Sequence, residues 1–208
     1  HRVQRPLEIK TLMQGKISIH DLSPNSEAVH LLHAHCRLVK SVDDSGLLLE
    51  AMTLNPSATF IMRFNDPQLS VEQARKDGLT PAQAVERWWN AYRVKIQLNP
   101  HLKHPRCYLE GYNEPVWKKV NPLGGPDIDD IDGMRYYGQV EKLRVEFLAG
   151  LGYLSCIGNF SVGYPHIAQN DISWWLAFEP AIDAAIAHGG ILGIHCYSWR
   201  DLVGDQSN

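Results

Sequence analysis

The strongest constraint on the fold of this chain is a regular alternation of strand-like and helix-like segments. Short apolar runs rich in β-branched and aromatic residues are separated by longer stretches in which apolar residues recur at helical spacing. The predicted strands cover residues 16–21, 37–42, 59–64, 108–115, 153–160 and 191–199, and the predicted helices cover 26–35, 47–54, 70–78, a main helix starting at 80–81, 132–150 and 173–188. Strand and helix alternating through six strands is typical of a parallel α/β sheet.

Two parallel arrangements compete for this pattern. A doubly wound sheet normally carries a glycine-rich phosphate loop after its first strand, and Asp21-Leu22-Ser23-Pro24 contains no glycine. A (β/α)8 barrel instead places polar residues at the carboxyl ends of many different strands. Such residues end every predicted strand: His20/Asp21, Asp43/Asp44, Arg63/Asn65, Asn113/Glu114, Asn159 and His195/Tyr197. The sequence therefore predicts an α/β fold of the (β/α)8 TIM-barrel type with about six βα units, and residues 1–208 as a single, incomplete barrel domain.

Composition excludes several classes of function. The chain is 44% hydrophobic and 21% charged, with a formal net charge of −3, so it has no basic footprint for nucleic acid or for an anionic membrane surface. No apolar run approaches the roughly 18 residues that a transmembrane helix needs. Residues 1–6 lack the apolar core of a signal peptide, and localisation stays open between secreted and cytoplasmic. The cysteines at 36, 107, 156 and 196 have no metal-ligand spacing, and we interpret them as buried free thiols.

The fourth predicted strand, Tyr108–Pro115, carries two carboxylates. Strict alternation would place Glu110, Tyr112 and Glu114 on one face. Because proline ends a strand, Glu114 is expected at the strand end, facing a cleft. We expect Glu110 to be a structural carboxylate held by an arginine.

Other clusters of polar residues favour structural roles. His30, His33 and His35 lack a completing ligand and are interpreted as residues of an outer helix. The acidic run Asp127, Asp129, Asp130 and Asp132 has some character of a calcium loop, but the last three more simply supply negative charge to the start of the next helix. We predict no metal site and no cofactor. The absence of a Gly-x-Ser-x-Gly elbow argues against an α/β-hydrolase.

The motif Asn113-Glu114-Pro115 at the end of a fourth strand, with His195-x-Tyr197 at the end of a sixth, resembles the clan A glycoside hydrolases. The cellulase-like family five is most similar, and the resemblance covers roughly residues 16–199. It implies a retaining endo-type β-glycoside hydrolase acting on an oligo- or polysaccharide, with Glu114 as general acid/base.

The same resemblance assigns further site residues. Asn113 would bind the sugar 2-hydroxyl, and His195 and Tyr197 would line the catalytic subsite. Arg63 would partner a cleft carboxylate or, equally, pair with Glu110. Trp117 and Trp199 are candidates for stacking on sugar rings or for packing. Apart from the resemblance, His20 and Asp21 at the end of the first strand could bind a cation or a sugar hydroxyl, and we interpret His20 as a ligand of the sugar.

The sequence departs from that family in one respect. A retaining mechanism needs a second carboxylate about 5–5.5 Å from the acid/base, and clan A supplies it from a seventh strand. The sequence therefore predicts a nucleophile outside this chain, in a missing C-terminal segment or in a second copy that completes the barrel. Asp21, Asp43, Asp44 and Asp201 are the alternatives within it. The competing function is a non-catalytic carbohydrate-binding or scaffold protein with a glycosidase-like barrel.

Overall fold

The computed structural model describes residues 19–21, 37–66, 68–123, 128–161, 164 and 172–195. Six strands form a parallel sheet: β1 Ile19–Asp21, β2 Leu38–Val42, β3 Thr59–Arg63, β4 Cys107–Glu110, β7 Leu154–Phe160 and β8 Ile191–Ile194. Two short strands form a separate antiparallel ribbon, β5 Lys118–Lys119 and β6 Ile128–Asp129. The helices are α1 Ser45–Leu54, α2 Val71–Lys76, α3 Pro81–Gln97, α4 Ile131–Gly150 and α5 Ser173–Ala187, with a 3-10 turn at Pro100–Lys103. The predicted helix at 26–35 lies outside the described residues.

The order of strands in the sheet follows their order in the chain. The sequence of neighbours is β1, β2, β3, β4, β7, β8, and every neighbouring pair is parallel. A doubly wound sheet reverses its strand order at a switch point, whereas a barrel adds each new strand on the same side. The described strands follow the barrel rule.

The sheet is strongly curled. Three strands separate β2 from β8, so a flat sheet would hold these two about 19 Å apart at the usual spacing of neighbouring strands. Yet Lys40 Nζ on β2 lies 2.8 Å from Nε2 of His195, the residue that follows β8. The two side chains are too short to span a flat sheet, so the strands must bend around a shared concave face. The α/β prediction is thus confirmed as a half-barrel of parallel strands, consistent with part of a TIM-type barrel.

Residues alternate between the two faces of this sheet. Phe60, Met62, Leu109 and Ile157 belong to the apolar core shared with the helices. Lys40, Arg63 and Glu110 alternate with these core positions, and both Lys40 and Arg63 contact Glu110 on the concave face. The core therefore lies between sheet and helices, and the charged groups lie inside the curl.

Side-chain caps begin four of the helices. Asp44, Ser70 and Thr80 accept hydrogen bonds from backbone N–H groups in the first turns of α1, α2 and α3, and Asp130 does so at α4. Asp132 lies in the first turn of α4, so the predicted negative charge at that helix start is confirmed for Asp130 and Asp132. Asp129 instead pairs with Lys118 across the ribbon.

The fourth strand is shorter than predicted. It ends at Glu110, and Tyr112 turns into the helical core, where its hydroxyl donates to the carbonyl of Ala84 at 3.0 Å. The expectation that Glu110, Tyr112 and Glu114 share one face is therefore wrong. Strict alternation requires extended backbone, and the chain leaves that conformation directly after Glu110.

Among the helices that the structure describes, none combines the length and the apolar character needed to cross a bilayer.

Candidate functional site

Glu114 lies in the bend that follows β4, at the carboxyl end of the parallel strands. Its φ is 45°, in the left-handed region that residues other than glycine rarely adopt. The backbone N–H of Glu114 donates to the carbonyl of Asn159 in β7 at 3.1 Å. The side chain is 28% exposed, so its carboxylate is accessible from solvent. Left-handed backbone at a polar strand end is the kind of stored strain that concentrates at functional sites.

His195 approaches Glu114 from the other side of β7. Its backbone N–H donates to the carbonyl of Phe160 at 2.7 Å, which holds the residue directly after β8. The ring nitrogen Nδ1 lies 2.8 Å from Glu114 Oε1. The structure therefore brings together two residues, 81 positions apart in the chain, that belong to the Asn-Glu-Pro and His-x-Tyr motifs.

The end of β7 positions both of these residues. Gly158 and Asn159 have φ values of 82° and 49°, and the pairing register with β8 shifts at this point. Such a bulge re-aims the backbone beside it. The carbonyls of Asn159 and Phe160 then meet the N–H groups of Glu114 and His195. A local irregularity in β7 thus sets the relative position of a carboxylate and an imidazole.

A buried charge cluster lies beneath them. Glu110 is 2% exposed, and its Oε2 lies 2.5 Å from Lys40 Nζ. Its Oε1 lies 3.3 Å from His195 Nε2 and 3.5 Å from Arg63 Nη1. Lys40 and Arg63 are themselves buried. Buried charges of this kind are tolerated because they are paired.

These contacts displace two pKa values. Burial raises the pKa of the Glu110 carboxyl, but its contacts with His195 in the imidazolium form and with the Lys40 ammonium outweigh burial and lower the pKa to about 2. Burial lowers the pKa of the Lys40 ammonium, which the Glu110 carboxylate opposes and the Arg63 charge reinforces. Glu110 is therefore a permanent anion at neutral pH, buried and paired, and unavailable to attack a substrate.

Of the two roles predicted for Arg63, the structure shows the pairing with Glu110. It lies beside Glu110, and its Nη1 also donates to Oδ1 of Asn113. Asn113 is exposed and stands next to Glu114. Because Arg63 occupies the amide oxygen of Asn113, the amide NH2 is oriented as the group that can donate to a ligand.

Trp117 is placed differently from a sugar-stacking residue. It is 3% exposed and packs against Tyr136 and Tyr137, with its backbone N–H donating to the hydroxyl of Tyr164 at 2.6 Å. Neither ring face is open to a ligand, so the structure realises the packing alternative. The side chain of His20, and Tyr197 and Trp199 as whole residues, lie outside what the structure describes.

The alternative nucleophiles do not reach the site where they are described. Asp43 accepts from the N–H of Asn65 and pairs with Lys95, and Asp44 caps α1. The side chains of Asp21 and Asp201 lie outside the described residues. Within the described part of the chain, no group of three or more His, Cys, Asp or Glu side chains is arranged to hold a metal ion. The three histidines at 30, 33 and 35 fall outside that part.

A surface cavity of about 350 Å³ is lined in part by residues that closely follow Glu114 in the sequence. It lies between α2 and the segment that leads into the ribbon, and its lining is mostly charged: Glu72, Arg75, Lys76, Val116, Trp117, Lys118 and Asp130. The predicted long connection of 116–132 therefore contains an ordered ribbon and borders a polar groove.

Sequence reasoning missed Lys40. It occupies the middle of the apolar strand Leu38-Val39-Lys40-Ser41-Val42, and a lysine is almost never fully buried without a partner. That mismatch was the available signal, but its partners Glu110 and His195 are 70 and 155 positions away.

Comparison of the chain with protein-family models, with curated proteins and with solved structures found no match.

Proposed function

We propose that this protein is a retaining endo-type β-glycoside hydrolase of the clan A kind, built on a (β/α)8 barrel. Glu114 is its general acid/base. The nucleophile is a carboxylate that does not belong to the described residues. The substrate is an oligo- or polysaccharide that lies across the open end of the half-barrel.

One observation carries the proposal. A partly exposed carboxylate, Glu114, stands at the carboxyl end of the parallel strands with an imidazole nitrogen 2.8 Å away. Active sites of barrel enzymes lie at this end, and an acid/base carboxylate must reach solvent in order to exchange its proton. Asn113, exposed and oriented by Arg63, stands beside it as a donor for a sugar hydroxyl.

The chemistry assigned to Glu114 has two steps. Protonated Glu114 gives its proton to the glycosidic oxygen as the bond from C1 to that oxygen breaks and the nucleophilic carboxylate bonds to C1. Ionised Glu114 then takes a proton from water, whose oxygen bonds to C1 and releases the nucleophile. The groove bordered by α2 and the ribbon, which Val116 and Lys118 help to line, is the place proposed for the departing part of a polysaccharide.

A non-catalytic carbohydrate-binding or scaffold protein is the second candidate. It is favoured by the carboxylates of the described residues, because Glu110 is buried and paired while Asp43 and Asp44 serve backbone and helix caps. Such a protein would use the same cleft and the same Asn113 contact without turnover.

The test compares hydrolysis of β-glucan, mannan, xylan and aryl β-glycosides by the wild-type protein and two variants. Glu114→Gln should lower turnover of polysaccharide by about 10²- to 10⁴-fold, the usual contribution of an acid/base. Glu86→Gln, on the exposed face of α3, should leave turnover unchanged. With an activated aryl glycoside, added azide should rescue Glu114→Ala by forming a β-glycosyl azide, since azide needs no general base.

Equal turnover by wild type and Glu114→Gln would refute the acid/base assignment. Binding of a glycan with no turnover by the wild-type protein would select the non-catalytic alternative.

A further inference from the structure

We propose that Lys40 is a positioning residue that holds the proton of the His195 imidazole on Nδ1, where it faces Glu114. The consequence for catalysis rests on the proposed function, but the location of the proton does not. In this way one buried lysine on β2 controls a carboxylate that it does not touch.

The contact between Lys40 and His195 determines which ring nitrogen is unprotonated, because lysine can only donate hydrogen bonds. Lys40 Nζ lies 2.8 Å from His195 Nε2. An ammonium carries three donors and no acceptor, so Nε2 must present its lone pair. A neutral imidazole with an unprotonated Nε2 carries its proton on Nδ1. That atom lies 2.8 Å from Glu114 Oε1, so Nδ1–H donates to the carboxylate.

Glu110 holds the ammonium of Lys40 in place. Its Oε2 lies 2.5 Å from Lys40 Nζ, and both side chains are buried. Its other oxygen, Oε1, is 3.3 Å from His195 Nε2 but makes no hydrogen bond of acceptable geometry among the described residues. Nε2 is therefore matched to the ammonium and not to the carboxylate.

The charges around the ring agree with a neutral imidazole. Lys40 from β2 and Arg63 from β3 supply two positive charges, and Glu110 and Glu114 from the β4 region supply two negative charges. The buried thiol of Cys156 on β7 lies near the same cluster, and burial raises its pKa. Among the residues that the structure describes, a neutral His195 leaves these four charges balanced, whereas an imidazolium would add a third positive charge.

This arrangement determines which oxygen of Glu114 carries the proton of the carboxyl group. A donor facing Oε1 favours the ionised carboxylate. When Glu114 is protonated, its proton must lie on Oε2, away from His195. Without Lys40 the imidazole proton can move to Nε2, where Glu110 Oε1 is close enough to receive it. Nδ1 would then face Glu114 as an acceptor and hold its proton back from a leaving group.

The decisive measurement is the two-dimensional ¹H–¹⁵N spectrum of the His195 ring at neutral pH, assigned by its disappearance in His195→Gln. In wild type we expect Nδ1 to be protonated and Nε2 to show the shift of an unprotonated ring nitrogen. Lys40→Met should lose that pattern, while Lys142→Met, on the exposed side of α4, should keep it. A folded Lys40→Met that keeps the wild-type pattern would overturn the role of Lys40, and the wild-type spectrum can overturn it even if Lys40→Met fails to fold.

A proton on Nε2, or on both nitrogens, in the wild-type spectrum would overturn the proposal. In an active protein, Lys40→Met should also lower kcat by at least about tenfold with KM little changed, the behaviour of an enzyme whose imidazole has the wrong tautomer. If the predicted tautomer is found in a protein that hydrolyses no glycoside, the proposed function fails and the assignment of Lys40 stands.

Discussion

The guanidinium of Arg144 forms a bidentate ion pair with the carboxylate of Glu141, one turn earlier on α4. Two hydrogen bonds of 2.8 Å join them, and both side chains are fully buried. The same guanidinium donates to the carbonyls of Leu109 in β4 and Cys156 in β7, at 3.1 and 2.8 Å. This pair therefore fastens helix α4 to the two strands that carry Glu110 and the bulge beside Glu114.

Removing one member of this pair should cost far more than removing both. Arg144→Met leaves the Glu141 carboxylate buried without a counter-charge, so we expect the free energy of unfolding to fall by about 3–5 kcal/mol. Arg144→Met combined with Glu141→Met should recover much of that loss, because two apolar side chains of similar volume replace the ion pair. Urea denaturation of the single and double variants measures both effects.

A matched control for this cycle is the exposed pair of Arg135 and Asp132. Arg135→Met should change the unfolding free energy by less than about 1 kcal/mol, as is usual for surface pairs. A double variant no more stable than Arg144→Met would show that the unpaired Glu141 carboxylate is not the cause of the lost stability.

The stability of the fold should depend on pH through Glu110. Its pKa falls from an ordinary 4.5 to about 2 in the folded protein, so between these values the unfolded chain binds more protons. The stabilisation is then complete above pH 4.5 and is lost as the pH falls towards 2, by roughly 3 kcal/mol in total.

Chemical denaturation of wild type and Glu110→Gln across this range isolates the effect. The slope of stability against pH should flatten in Glu110→Gln, whereas Glu146→Gln, an exposed carboxylate on α4, should keep the wild-type slope. Parallel curves for wild type and Glu110→Gln would show that Glu110 does not titrate in this range.

Gly133 should tolerate no side chain. It lies in the first turn of α4, where a Cβ would collide with the Trp117 ring and approach Arg75 Nη1 to 2.7 Å. We expect Gly133→Ala to lower the free energy of unfolding by about 1–3 kcal/mol through overpacking.

Gly150 is the matched control at the other end of the helix. A Cβ there meets no atom within 4 Å, and Gly150→Ala should raise the unfolding free energy by about 0.4–1 kcal/mol. Thermal denaturation compares the two variants. Equal melting temperatures for Gly133→Ala and wild type would mean that Trp117 is not packed as described.

Cys107 and Cys156 should be inert in the folded protein. Both side chains are buried, and burial raises the pKa of the Cys107 thiol to about 12 and that of Cys156 as well. Because the thiolate is the reactive form, a maleimide at pH 7 should label neither until the chain unfolds. Peptide mass spectrometry before and after urea locates the label, and rapid native labelling at either position would contradict their burial.

Local sequence signals predicted much of the element order. Thr80 and Pro81 mark the start of α3, and Asp130 marks the start of α4, because caps act within a few residues. Trp88 of the same helix is buried in the core. The error at Tyr112 has a local cause too, since alternation continues only as long as the backbone stays extended.

The site itself was predictable only in part. Glu114, Asn113 and His195 could be selected because polar residues gather at the carboxyl ends of parallel strands. Lys40 and the β7 bulge were not found, since nothing in the neighbouring residues shows that a lysine within an apolar strand meets a glutamate from a distant one.

The sequence by itself determined the alternation of strands and helices, the helix starts and the polar strand ends, because each depends on residues close together in the chain. Only the tertiary structure decided the curl of the sheet, which turns Lys40, Glu110 and His195 towards one another on the concave face. The physical reason is that paired charges lower their free energy through contacts between distant strands. Those contacts exist only once the sheet has bent.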